Sequence, residues 1–207
     1  EEFVASSSLP LAQTGKKMVA GSMPRDGGYL ILSDIERSHL LQTHSEATRF
    51  IRKLTGTDEM INGGMRWCLW INDHDLELAQ SIPVVNTRIQ SVLEFRRNSK
   101  AKTTKGYASI PHKFAQRSHE EMRALIVSAT SSEKREYLPA SLTSQDTIIT
   151  NAAFAIYGGG PLEFSIVTSR LHLVWIASVC GKLETRYRYS STLGWNTFPV
   201  PSLTENQ

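Results

Sequence analysis

Residues 62–71 read Asn62-Gly63-Gly64-Met65-Arg66-Trp67-Cys68-Leu69-Trp70-Ile71. A glycine turn opens onto a short apolar and aromatic run, the pattern of a buried strand. Helices are expected on either side of it. Upstream, Ser45 suits the N-cap of a helix over Glu46–Leu54, where Ala47, Phe50, Ile51 and Leu54 fall at i, i+3, i+4 and i+7 and Gly56 suits the stop. Downstream, Pro83 opens a helix running to about Arg97, with Ile89, Val92, Leu93 and Arg96 along one face.

The remaining segments alternate irregularly between the two periods. Gly27-Gly28 precedes a strand over Tyr29–Ser33, and Asp34–Thr43 is ambiguous, with room for one helical turn. Ala124–Ala129 and Glu136–Pro139 read as short strands around the polar turn Ser131–Arg135. Thr147–Thr150 and Ala153–Tyr157 read as a further strand pair, ended by Gly158-Gly159-Gly160. Pro161 begins the longest helix, Leu162 to about Cys180, which Phe164, Val167, Leu171, Val174 and Trp175 mark as a core helix. Leu183–Tyr189 alternates as a strand, and Trp195–Pro201 closes in a Pro-bounded loop. The class is therefore α+β, a mixed β-sheet with packed helices. The Ser/Pro/Gln/Gly-rich residues 1–20 are expected to form an extended arm or linker from a preceding domain, 21–201 the domain itself and 202–207 a tail.

Composition narrows the function. At 207 residues the chain can bury a core without staples, and two cysteines, Cys68 and Cys180, are too few for a disulfide framework, which favours a reducing cytoplasm. No apolar run approaches the ~20 residues of a membrane span, and the opening EEFVASSSLPLAQTGKK has no signal-peptide core. Catalytic patterns are missing: no Asn-Pro-Pro-aromatic tetrad, no Walker loop and no Glu-x-Lys nuclease tripeptide. Gly158-Gly159-Gly160 runs into Pro161, which lacks an N–H, so a turn is expected there and not a phosphate cradle. Asp73-His74-Asp75 reads as an exposed turn. Ser131 and Lys134 fit the SxxK spacing of some serine hydrolases, without the companion motifs. No cofactor or metal is expected to bind within this chain.

Net charge is only +3, so any nucleic-acid footprint must lie in local clusters. The first cluster follows the 83–97 helix: Arg96, Arg97, Ser99, Lys100, Lys102 and Lys105, in a polar cationic loop over 98–107 whose donors suit phosphates. The second is Ser131, Ser132, Glu133 and Arg135, where an arginine can donate to guanine and a carboxylate can accept from cytosine N4. The third is Arg186 and Arg188, placed by alternation on one strand face with Tyr187 and Tyr189 on the other. The alternative is a scaffold presenting an apolar exterior around Trp67, Trp70 and Trp195.

Several longer stretches, taken in order, resemble the MmeI-type single-chain restriction–modification enzymes. They are Gly21–Gly28, Phe50-Ile51-Arg52, Arg66–Trp70, Ser131–Pro139, and the terminal run from Cys180-Gly181-Lys182-Leu183 through Arg188-Tyr189-Ser190 to Asn196-Thr197-Phe198-Pro199. One departure is Val200, where such enzymes commonly carry Trp between the two prolines. The resemblance implies a target recognition domain for double-stranded DNA, following an adenine-specific (N6) methyltransferase domain that itself follows a nuclease. S-adenosylmethionine, and Mg2+ where the parent enzyme cleaves, would then belong to those other domains.

Overall fold

The computed structural model describes residues 16–200. In chain order the strands are β1 (Val19–Ala20), β2 (Ile31–Ser33), β3 (Ile51–Thr55), β4 (Arg66–Leu69), β5 (Ala124–Ser128), β6 (Thr130–Ser131), β7 (Ala140–Thr143), β8 (Thr147–Ile149), β9 (Ala153–Tyr157), β10 (Lys182–Leu183) and β11 (Arg186–Arg188). The α-helices are α1 (Asp34–Thr43), α2 (Thr57–Asn62), α3 (Leu76–Ser81), α4 (Pro83–Asn98), α5 (Lys102–Lys105), α6 (Pro161–Val167) and α7 (Arg170–Val179). These elements group into two compact units, one of residues 21–121 with 146–151, the other of 16–20, 122–145 and 152–200. The arm read over 1–20 lies outside the described residues as far as residue 15, and the tail at 202–207 lies wholly outside them.

The unit containing Gly21–Glu121 is built on a four-stranded sheet of order β2-β4-β3-β8, antiparallel except for β3 against β8. Cys68 and Leu69 of β4 are fully buried, as the 62–71 pattern requires, and pack with Phe50, Leu54, Val85, Ile89 and Val92. The expected helix over Glu46–Leu54 does not form. A 3-10 turn over Ser45–Phe50 hands directly to β3, because β4 and β8 flank Ile51–Thr55 and take up its backbone hydrogen-bonding groups. Gly56 precedes α2 instead of ending a helix; its N–H donates to Glu59 Oε2 at 2.8 Å. Asp34–Thr43 is a full helix, started by a reciprocal box in which Glu36 N donates to Ser33 Oγ at 3.2 Å and Ser33 N to Glu36 Oε2 at 2.8 Å.

The other unit holds a four-stranded antiparallel sheet of order β1-β9-β5-β7 and a three-stranded one of order β10-β11-β6. The strand expected over Glu136–Pro139 starts later, at Ala140, since Leu138 is buried as the anchor of the preceding turn. Thr147–Ile149 and Ala153–Tyr157 are both strands, yet they do not pair: the first joins β3 and the second lies between β1 and β5. The long helix over 162–180 is two helices bent by 59° at Thr168-Ser169, where Ser169 Oγ caps the second by accepting from His172 N at 3.1 Å. Its buried residues are Glu163, Val167, His172 and Ile176, whereas Leu171 is 71% and Val174 65% exposed, so the expected core stripe faces outward in part. Among the described residues no single helix is long and apolar enough to cross a membrane.

Candidate nucleic-acid interface

Two of the three cationic clusters share one small sheet. In β11 the side chains of Arg186 and Arg188 are exposed while Tyr187 is half-buried, and Tyr189 beyond it is buried with its hydroxyl 2.9 Å from His172 Nε2. The predicted alternation is therefore present over 186–189, although the single strand expected over Leu183–Tyr189 is a hairpin in which β10 turns into β11. Tyr187 pairs with Ser131 and Arg188 with Thr130 of β6, so the turn after Ser131 leaves the sheet beside the two arginines. That turn is closed by Arg135 N donating to Ser132 O and by Lys134 N donating to Ser132 Oγ, both at 3.2 Å. Its feet are fixed by Ser131 (4% exposed) and Leu138 (1%), and residues 133–137 between them are exposed. A concavity of about 430 Å³ lies against Arg135–Ala140 and Thr168.

Ser131 departs from the expectation. Its strand position buries the hydroxyl, which leaves it neither a base-reading group nor a nucleophile beside the exposed Lys134. Ser132 shapes the turn through its Oγ. Glu133 and Arg135 stay exposed, and among the described residues neither enters an ion pair. Arg186 has only a loose one, 3.7 Å to Glu184, a residue in the left-handed region (φ 57°) within the β10–β11 hairpin turn.

The remaining cluster, the one after the 83–97 helix, lies in the unit of Gly21–Glu121. Arg97, Lys100, Lys102 and Lys105 are exposed there without ion pairs among the described residues. The segment is more wound than the expected open loop: α5 makes one turn from Ala101, whose N–H donates to Ser99 Oγ at 3.2 Å. Arg96 is not part of this surface. It is fully buried at the end of the apolar face of α4, and its N–H groups donate to the carbonyls of Pro24, Arg25, Tyr107, Ile110 and Lys113 at 2.7–2.9 Å. A guanidinium so enclosed and saturated cannot reach a phosphate. Burial also presses its pKa below the usual arginine value.

Sequence reading missed Arg25. Its Nη1 donates to Thr103 Oγ1 at 3.1 Å and Thr104 Oγ1 at 3.0 Å, the two residues between Lys102 and Lys105 in α5. The turn composition Pro24-Arg25-Asp26-Gly27-Gly28 was the available signal, but it lies outside the basic run.

Two other candidates are otherwise engaged. The Gly158-Gly159-Gly160 N–H groups donate to Arg123 O, Ile156 O and Glu163 Oε2, so this run does not fit a phosphate or a nucleotide-like cofactor. The tryptophans form no apolar exterior either. Trp70 and Trp195 are buried, and Trp67 donates to Asp34 Oδ1 under the Arg37 guanidinium, 3.9 Å from its ring.

The family model described as MmeI, target recognition domain, matches residues 1–202. A DNA methyltransferase A of Bacillus subtilis (strain 168) is 36% identical over 97% of the chain, which spans 23% of that protein. A solved structure of the Type IIL restriction-modification enzyme MmeI in complex with DNA superposes with a TM-score of 0.90 at 35% identity, over 96% of this chain and 26% of that one. The chain thus spans about a quarter of the length of these relatives.

Proposed function

Because the chain belongs to the MmeI target recognition domain family, we propose that it reads a short double-stranded DNA site for an adenine-specific methyltransferase domain in the same polypeptide. The observation that carries this is the 132–135 turn. It is buried at both feet, tipped by a carboxylate and a guanidinium without ion pairs among the described residues, and rooted in the sheet that carries Arg186 and Arg188. Arg135 suits the O6 and N7 acceptors of guanine, and Glu133 suits the N4 donor of cytosine, each good bidentate pair giving about 1–3 kcal/mol of discrimination. Arg186 and Arg188, with Arg97, Ser99, Lys100, Lys102 and Lys105 in the other unit, suit phosphates and would set register without choosing sequence.

The division of labour follows from the chemistry. Methylating an adenine inside a duplex requires flipping it out, at a cost of a few kcal/mol. A separate domain that grips the duplex confines flipping to chosen sites. S-adenosylmethionine, and Mg2+ where the enzyme cleaves, belong in this reading to other parts of the polypeptide. The test is fluorescence anisotropy of a labelled duplex across a salt series. The logarithm of affinity should fall linearly with that of salt, with a slope of about −4 or steeper for five or more phosphate contacts. An affinity indifferent to salt removes the phosphate assignment.

A further inference from the structure

We propose that Arg25 is a preset phosphate-binding residue of this domain, an inference that rests on the reading of the domain as a DNA binder. The first observation is conformational. Arg25 has φ 44°, a left-handed backbone that a non-glycine residue rarely adopts, and such outliers persist only where surrounding structure enforces them. Here the enforcement is visible from both sides. Arg96 Nη2 holds the Pro24 carbonyl at 2.8 Å and Arg96 Nε holds the Arg25 carbonyl at 2.9 Å. On the other side the buried Asp26 carboxylate accepts from Gly28 N at 3.1 Å and Leu30 N at 2.6 Å.

The second observation is electrostatic. The Arg25 guanidinium is fixed by neutral partners only, the hydroxyls of Thr103 and Thr104 and the Met23 thioether, 3.0 Å from Nε. Several other arginines of this unit are balanced, although Arg52 is held by the carbonyls of Arg49 and Ile51 and Arg97 has no ion pair among the described residues. Arg49, Arg66 and Arg88 meet the carboxylates of Asp75, Glu59 and Glu36, and Arg37 and Arg117 lie over Trp67 and Trp70. Arg25 is therefore a cation held in place without a counter-charge among the described residues, bonded to the two threonines that separate Lys102 from Lys105 in α5. A guanidinium already ordered loses little freedom on binding and offers a fork that suits phosphate oxygens. The lysines add charge without that fixed geometry.

The test uses the full-length polypeptide carrying this domain, a fluorescein-labelled duplex of mixed sequence and two variants. Asn tolerates the left-handed region, so Arg25→Asn removes the cation without straining the turn further. It should make the salt slope shallower by about 0.9. It should also weaken binding on the order of tenfold near 0.1 M salt, equally on all sequences, with the thermal midpoint unchanged or raised. Arg25→Lys should keep the wild-type slope. Unchanged slope and affinity in Arg25→Asn would overturn the proposal. So would a fall in thermal midpoint alongside the lost binding, which would mark Arg25 as structural. A wild-type slope near zero would overturn the reading of the whole domain, and this inference with it.

Discussion

The Nε–H of Arg96 donates at 2.9 Å to the carbonyl oxygen of Arg25, joining the last turn of α4 to a left-handed turn 71 residues earlier in the chain. Four further carbonyls accept from the same guanidinium, on segments that otherwise carry no regular structure. No neutral side chain can replace so many donors.

Arg96 should accordingly dominate the stability of its unit. Arg96→Met leaves five carbonyls without this partner, and Arg96→Lys offers at most three donors in the wrong geometry. We expect each to cost about 3 kcal/mol or more, since truncating one partner of a buried charged network leaves the rest unsatisfied. Urea unfolding followed by tryptophan fluorescence checks this; a loss below about 1 kcal/mol would contradict it.

His172 should make the other unit acid-sensitive. Burial among Tyr189, Trp195 and Phe198 lowers its pKa to about 4 from 6.5. The unfolded chain then binds the proton more readily than the folded one, so the stabilisation is complete above about pH 6.5 and is lost as pH falls toward 4, by about 3 kcal/mol at most. Urea midpoints at stepped pH should decline through this window in the wild type and less steeply in His172→Gln. Parallel curves for the two proteins would locate the acid sensitivity elsewhere.

Two glycines should behave differently for different reasons. A Cβ on Gly21 would sit 2.1 Å from Thr150 O, in the bridge where Ser22 N donates to Ile149 O at 2.7 Å, and backbone cannot give way cheaply there. Gly21→Ala should cost about 3 kcal/mol or more. A Cβ on Gly28 meets open space, so Gly28→Ala should cost only the strain of its left-handed φ, about 1–2 kcal/mol. Thermal melts of the pair decide this, and equal losses would contradict the steric account.

Where one period dominated, the sequence was legible. The glycine-bounded 65–71 run holds β4 over Arg66–Leu69, with Cys68 and Leu69 buried and Met65 exposed, and α4 runs from Pro83 to Asn98 as its apolar face implies. That face contained the clue to Arg96 as well: an arginine four residues beyond Val92 and seven beyond Ile89 points inward, yet its charge drew it into the cationic cluster. Ile51 and Leu54 misled in the opposite sense. Their helical spacing with Ala47 and Phe50 is accidental, and the neighbouring strands, invisible locally, decide the segment. Thr147–Ile149 and Ala153–Tyr157 stand close enough to suggest a hairpin, but partners distant in sequence claim each of them. The break at Thr168-Ser169 carries neither glycine nor proline, so only the Ser169 cap betrays it. In the candidate interface, exposure on β11 followed from simple alternation, whereas Arg25 depends on a backbone conformation that tertiary bonds impose.

On the proposed reading, the most direct measurement is the methylated site of the full-length polypeptide after exchanging the two tip residues, Glu133→Arg with Arg135→Glu, read by sequencing methylated bases across a whole genome. If the turn reads base edges, the exchange moves methylation to a site altered at one base pair, with turnover on that site close to the wild-type rate. Methylation lost on every sequence, or continued at the original site, would contradict the account.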